Sequence, residues 1–177
     1  MSLLQGIIEP QDATGELKTI YEMTQNRYGF VPNAVKMQSI NSDTIKFYAG
    51  MSKYFAQESF LSDQFRMFTN EIIARKDNCA YCISLMDSFL LNKFGLTKEQ
   101  LNEIKSDPSK TPLEKKELTL LEFVLKVLKD SNSTTKEDIQ SLYTLGYNDK
   151  EIFDAINFAT SMQKMHIMLN ALQIEND

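Results

Sequence analysis

The chain has 177 residues and a formal net charge of −5, from 19 Lys and Arg against 24 Asp and Glu. This length predicts one domain spanning residues 1–177, and an acidic chain lacks the basic face of a nucleic-acid-binding protein. One His and two Cys are too few for a three-His metal site or a disulfide framework. Without a membrane-length apolar run or a signal-peptide pattern, the sequence predicts a cytoplasmic protein with reduced thiols and no membrane partner.

Helix signals follow one another along the chain. Good N-cap residues precede three apolar periodic segments in the first half of the chain, which predicts helices from Thr14 to about Tyr28, from Ser42 to about Gln57, and from Ser62 to about Asp77. The segment from Ile83 to Phe94 is also predicted to be helical. All four prolines fall where these patterns begin or break, as expected of a helical protein.

The second half of the chain carries paired capping signals. Capping-box spacing occurs at four places: Thr97 with Gln100, Thr111 with Glu114, Thr134 with Glu137, and Asn148 with Glu151. Glycines that can end helices in a left-handed conformation occur at three: Gly29, Gly95 and Gly146. No Asn-Gly or Asp-Gly hairpin signal is present, so the sequence predicts an all-α protein of about seven or eight helices.

The most informative segment is Cys79-Ala80-Tyr81-Cys82, which holds both cysteines of the chain. If this segment opens a helix, free backbone N–H groups and the helix dipole favour a thiolate, most directly on Cys79. The second thiol can then attack the oxidised first one to give a disulfide. A redox dithiol is the leading interpretation and two buried structural cysteines are the next. A zinc site comes last, because the chain has no second Cys pair.

The cysteine motif lies within a wider pattern that extends over nearly the whole chain. Its other parts, in chain order, are Thr14-Gly15-Glu16, Ile20-Tyr21, Gly29-Phe30-Val31-Pro32-Asn33, Leu61-Ser62, Gly95-Leu96-Thr97, Thr135 to Ile139 with Leu142, and Leu145 to Ile152. In this arrangement the chain resembles the carboxymuconolactone decarboxylase superfamily, in its alkylhydroperoxidase D-like, peroxidase-related branch.

The resemblance implies a compact alkylhydroperoxidase D-like helical bundle that forms homo-oligomers. It also implies an antioxidant thiol oxidoreductase of peroxiredoxin-type activity. Such an enzyme reduces a hydroperoxide without metal, haem or flavin and is itself reduced by a dithiol protein. By the family pattern Cys82 attacks the peroxide and Cys79 resolves the product, which is the reverse of the order that a helix start favours.

The chain departs from this family at the positions that handle protons. The family uses a Glu–His relay, and the matching positions are Met67 and Met86, while Tyr81 stands where some members have His. A placed proton-transfer group contributes roughly 10²–10⁴-fold in rate, so these substitutions predict weakened peroxidase activity. Glu71, one helical turn after Met67, is the candidate substitute. The alternative is that Glu71 lies on a solvated face or pairs with Arg75.

The only histidine, His166, lies on the apolar stripe of the last predicted helix. It is predicted to be a packed core or interface residue rather than a catalytic one. Three functions therefore compete at this point. The first is the dithiol peroxidase, the second is a non-catalytic or redox-sensing helical oligomer, and the least favoured is a carboxymuconolactone-type decarboxylase, which needs acid–base groups that this chain lacks.

Overall fold

The computed structural model describes residues 3–177, which contain nine α-helices and no strand. The helices are α1 (Gly15–Tyr28), α2 (Asn33–Gln38), α3 (Ser42–Gln57), α4 (Asp63–Lys76), α5 (Ala80–Asn92), α6 (Lys98–Ser106), α7 (Lys115–Lys129), α8 (Lys136–Thr144) and α9 (Asp149–Ala171). The prediction of an all-α protein is confirmed. The additional short helix, α2, has six residues and follows Pro32.

Local capping signals account for most of the helix ends. The predicted box at Thr97 is present, with the hydroxyl of Thr97 accepting from the N–H of Gln100 at 3.2 Å and the Gln100 side chain accepting in return at 2.8 Å. All three predicted C-terminal glycines have left-handed backbone angles. At these positions a side chain would be strained, which explains why glycine ends the helices there.

Two of the predicted capping boxes are wrong. The box predicted at Thr134 lies one residue further along the chain in the structure, where Thr135 caps α8 together with Asp138. The box predicted at Thr111 is absent, because the Thr111 hydroxyl donates to the carbonyl of Pro108 in the preceding 3-10 turn. Helix α7 therefore begins after Glu114 without a side-chain cap.

The helices divide into two compact units. This division does not test the prediction that residues 1–177 form one domain. The first unit comprises residues up to 58 together with 168–177, and so includes α1, α2 and α3. Its core contains Tyr21, Val31 and Ile45. The hydroxyl of Tyr21 donates to the carbonyl of Ile8 at 2.8 Å, which fastens the N-terminal segment to α1.

The second unit comprises residues 59–167 and contains both cysteines. Helices α4 and α5 pack along each other there, and α6 and α7 pack against this hairpin. The core of this unit includes Phe68 of α4, Leu90 of α5 and Ile104 of α6. Burying each such side chain contributes roughly 1.5–3 kcal/mol to stability. The rigid hairpin that results fixes the position of the cysteine turn at its end.

Within the part of the chain that the structure describes, no helix is long and apolar enough to cross a membrane.

Candidate dithiol site

The turn between α4 and α5 places the cysteines. The N–H groups of Asp77 and Cys79 donate at 2.9 Å to the carbonyls of Ile73 and Ala74, which ends α4 tightly. Between them Asn78 takes a left-handed conformation with φ of 52°, one that Asn tolerates better than most residues. The chain then turns at once into α5, so that Cys79 becomes the N-cap of α5 and Cys82 lies in its first turn. The condition stated from the sequence, that this segment opens a helix, is met, and the helix begins at Ala80 rather than at Ile83.

Both thiols are free and buried, with Cys79 0% and Cys82 5% exposed. The Sγ of Cys79 accepts a hydrogen bond from the backbone N–H of Cys82 at 3.4 Å. A hydrogen bond from the Cys82 thiol lowers the pKa of Cys79, and the backbone N–H lowers it further while burial and the charge of Asp77 oppose the shift. The same bond to Cys79, with burial, raises the pKa of Cys82. When the pair loses one of its two protons, the thiolate therefore forms on Cys79 and the remaining proton stays on Cys82.

A buried polar network lies beside this turn. The carboxylate of Asp77 binds two side chains of α9, with Gln163 Nε2 donating at 3.2 Å and His166 Nδ1 lying 3.0 Å from the other oxygen. The second ring nitrogen of His166 is 2.9 Å from the side-chain oxygen of Asn70 on α4. The amide nitrogen of Asn70 in turn lies 3.2 Å from the sulfur of Met86. His166 is packed, as predicted, and is also hydrogen-bonded at both nitrogens.

Glu71 belongs to a different cluster on the same helix. One of its oxygens accepts from Arg75 Nε, and Arg75 also binds Asp87, which Lys105 contacts at 3.3 Å. The predicted pairing with Arg75 is confirmed, but the predicted alternative of a solvated face is wrong because Glu71 is 0% exposed. Burial raises the pKa of Glu71 to about 7 against the opposing effect of Arg75. Its second oxygen has no hydrogen-bond partner.

The three substituted relay positions are part of the apolar interior. Met67 packs against the core of the second unit, and Met86 and Tyr81 are each 4% exposed. None of the contacts found for residues 3–177 joins Glu71 to either sulfur, so its role as a substitute base stays a prediction. Within the same residues no three His, Cys, Asp or Glu side chains form a group that could hold a metal ion.

Asp77, Asn70 and Gln163 are the site residues that sequence reasoning missed. His166 is 89 positions from Asp77 and 96 from Asn70 along the chain, so helical periodicity carries no information about these contacts. One signal was available for Asp77, since an acidic residue immediately before Asn78 and Cys79 at a helix break necessarily lies close to the thiols. The packing of α9 against this turn had no such signal.

Comparison with solved structures places the fold. A peroxidase-related protein of uncharacterized function from Silicibacter sp. TM1040 is similar over 99% of this chain and 92% of its own, with a TM-score of 0.83 at 22% identity. A second such protein, from Ralstonia eutropha JMP134 and described as an alkylhydroperoxidase AhpD core, is similar over 97% and 90%, with a TM-score of 0.81 at 17% identity. The chain therefore has the alkylhydroperoxidase D-like fold, as the sequence resemblance predicted.

A third solved structure with this fold has a different activity in its name. It is a cysteine-to-alanine variant of the debrominase Bmp8 in complex with 2,3,4-tribromopyrrole. It is similar over 99% of this chain and 94% of its own, with a TM-score of 0.71 at 17% identity. No protein-family model and no functionally curated protein matches the chain. Because all three identities are low, the comparison defines the fold and leaves the chemistry to the site.

Proposed function

We propose that this protein is a dithiol oxidoreductase that reduces a hydroperoxide through Cys79 and Cys82. The observation that carries the proposal is the position of Cys79 at the start of α5, where its sulfur accepts the N–H of Cys82 at 3.4 Å. The thiolate is the reactive form of cysteine, and an N-terminal helix position favours it. A second thiol within the same helical turn supplies the partner that a disulfide cycle requires.

The chemistry balances with these two sulfurs and one external reductant. The thiolate attacks the terminal peroxide oxygen and the O–O bond breaks, giving a sulfenic acid and an alkoxide that takes a proton from the medium. The second thiol then attacks the sulfur of the sulfenic acid. Its proton and the displaced hydroxide leave together as water, and the Cys79–Cys82 disulfide forms. A dithiol protein, oxidised in the same step, returns the pair to the reduced state by thiol–disulfide exchange.

The electrostatics of the pair support Cys79 as the attacking thiolate and Cys82 as the resolving thiol. Cys79 is the sulfur whose pKa is lowered, whereas that of Cys82 is raised by its bond to Cys79. The family pattern assigns the opposite roles. In the relatives a relay His follows the second cysteine, and here Met86 occupies that position. Without that base, the helix start is the stronger influence on which sulfur ionises.

The remaining parts of the proposal come from the chemistry, from the sequence and from the family resemblance. The substrate is a hydroperoxide-type small molecule, and the partner is a dithiol protein of the reducing cytoplasm. No metal, haem or flavin takes part, and the assembly is a homo-oligomer like those of the resembling family. Turnover is slow relative to a protein with an intact relay, because a positioned proton-transfer group contributes roughly 10²–10⁴-fold.

The proposal is tested by following peroxide consumption with dithiothreitol as reductant. We expect Cys79→Ser to abolish rapid reaction with peroxide, whereas Cys82→Ser reacts once and stops at a sulfenic acid that a trapping reagent labels. Ser84→Ala, an exposed position on the same helix, is the matched control and keeps full turnover. Turnover that persists in both cysteine variants would refute the proposal, and bromide release from 2,3,4-tribromopyrrole without peroxide turnover would replace it with dehalogenation.

A redox-sensing protein is the second candidate, and the burial of both thiols favours it. Sulfurs that are 0% and 5% exposed have restricted access to a substrate and to a reductant protein. A sensor forms the same disulfide but does not turn over. A single stoichiometric oxidation that no dithiol reductant reverses at a useful rate identifies the sensor, whereas repeated cycles identify the enzyme.

A further inference from the structure

The network beside the cysteine turn has the donor and acceptor pattern of a site for a charged imidazole. His166 Nδ1 faces a carboxylate oxygen of Asp77, and Nε2 faces the amide oxygen of Asn70. The amide nitrogen of Asn70 faces the sulfur of Met86, a weak acceptor, which fixes the orientation of the amide. Both ring nitrogens therefore meet acceptors. An imidazole donates from both nitrogens only when it carries a second proton.

Opposing influences act on this proton. Burial holds the pKa of His166, which is 1% exposed, below its ordinary value, and the hydrogen bond and the charge of Asp77 offset part of this lowering. Asp77 itself is anchored by Gln163 as well as by His166, so its carboxylate keeps its position when the imidazole loses the proton. A negative charge that forms nearby raises the pKa of such a group and so favours its protonated form.

The neighbouring charge is the dithiol. Asp77 stands two residues before Cys79 in the tight turn, and its carboxylate raises the pKa of both thiols. A protonated His166 neutralises this carboxylate, whereas a neutral His166 leaves it as an uncompensated anion facing the sulfurs. The charged groups acting on one another at this end are thus Asp77 from the end of α4, the two thiols from α5 and His166 from α9. Glu71, Arg75, Asp87 and Lys105 form a separate cluster.

We propose that His166 and Asp77 form a positioning pair for the dithiol, in which a proton held on His166 offsets Asp77 and lets Cys79 ionise. The pair performs part of the function of the absent Glu–His relay, from residues at other positions in the fold. A proton that leaves the thiol is balanced by one retained or gained at His166, without contact between the imidazole and the sulfur. This inference rests on the proposed dithiol function, and its test uses thiol alkylation, which requires a thiolate but no peroxide turnover.

The test compares alkylation rates of the reduced full chain across pH in His166→Gln and Asp77→Asn. We expect His166→Gln to react about fivefold more slowly than the natural protein at the acidic end of the pH range, where the imidazole carries its second proton, and equally fast at about pH 9. Asp77→Asn removes the opposing anion and is expected to react about tenfold faster at neutral pH. A loss of packing does not produce changes in alkylation rate that have opposite signs in the two variants and this dependence on pH.

Two results would overturn the inference. One is an unchanged rate of His166→Gln at the acidic end of the pH range, and the other is a change of the same sign in both variants at every pH. The chain also offers a measurement that needs no substitution of the histidine. The only imidazole of the chain gives a single NMR titration curve. We expect the midpoint of this curve to fall in Asp77→Asn. A midpoint that stays or rises would contradict the proposed pairing of His166 with Asp77. Peroxide turnover that is absent while these shifts are present rejects the proposed function alone.

Discussion

Glu71, in the C-terminal half of α4, and Asp77, its C-cap, are two carboxylates with different surroundings. Asp77 has a hydrogen-bond partner for each oxygen, Gln163 and His166. Glu71 has Arg75 at one oxygen and no partner at the other, although it is completely buried. Asp77 lies in the turn that carries Cys79, whereas burial raises the pKa of Glu71 to about 7. The two carboxylates therefore differ in how completely their oxygens are hydrogen-bonded, and our proposals give only Asp77 a role beside the thiols.

Glu71, the candidate base drawn from sequence spacing, takes part in an ion-pair cluster. It is one turn from Met67, and its side chain pairs with Arg75, which also binds Asp87. Asp77 lies two residues before Cys79, in the turn that joins α4 and α5. Three changes break or sharpen this contrast, beginning with the largest effect.

Arg75→Met should have the largest effect on stability. It removes the guanidinium from both Glu71 and Asp87 and leaves a buried charge without its partner, which costs about 3–5 kcal/mol. The loss in the free energy of unfolding should appear at about pH 8 and shrink at about pH 5, where Glu71 is protonated. Arg27→Met, at an exposed position on α1, is the control and should stay within about 0.5 kcal/mol. Equal losses at both pH values would show that packing, not charge, is involved.

Glu71→Gln should remove a pH dependence. The pKa of Glu71 is raised from 4.5 in the unfolded chain to about 7 in the folded one, so the protonated form stabilises the fold. That contribution is complete below about pH 4.5 and is lost as the pH rises through about 7, amounting to about 3 kcal/mol. Denaturant unfolding should therefore show that the variant gains stability relative to the natural protein between about pH 5 and pH 8. A difference independent of pH would contradict the raised pKa. The same variant should leave the thiol titration unchanged, and a shift there would restore Glu71 as the substitute base.

Asn70→Leu should have a smaller effect that falls on the other network. It removes the acceptor at His166 Nε2 and the contact with Met86, and should cost about 1–2 kcal/mol in the free energy of unfolding. It should also lower the NMR titration midpoint of His166, because the imidazolium loses one of its two acceptors. Asn92→Leu, an exposed amide on α5 bonded to Ser88, is the control. An unchanged midpoint would mean that Asn70 does not stabilise the charged ring.

The fold was predictable because its signals are local. The pairing of Thr97 with Gln100 needs four consecutive residues, and Gly146 ends α8 through its own backbone angle. The errors came where two local signals overlap. Thr134 and Thr135 each precede an acidic residue at capping distance, and the second is used. At Thr111 the hydroxyl is taken by the 3-10 turn that Pro108 begins.

The site was predictable only as far as its contacts are local. The helix start at Cys79 follows from the sequence between Arg75 and Ile83, and so does the pairing of Glu71 with Arg75. The contact of His166 with Asp77 depends on how α9 packs against the end of α4, and no property of either segment specifies it. The apolar stripe of α9 identified the buried face on which His166 lies, but not the residues that meet this face.

The identity of the ionised sulfur is the central claim, and single-cysteine variants measure it directly. Ultraviolet titration of Cys82→Ser reports Cys79 alone, and titration of Cys79→Ser reports Cys82 alone. We expect the Cys79 thiol to titrate below its ordinary pKa, because the N–H of Cys82 and the hydroxyl of the substituted serine both remain to stabilise its thiolate. The Cys82 thiol should titrate at or above its ordinary pKa. The reverse order, with the lower midpoint on Cys82, would contradict a thiolate set by the helix start and would favour the roles implied by the family resemblance.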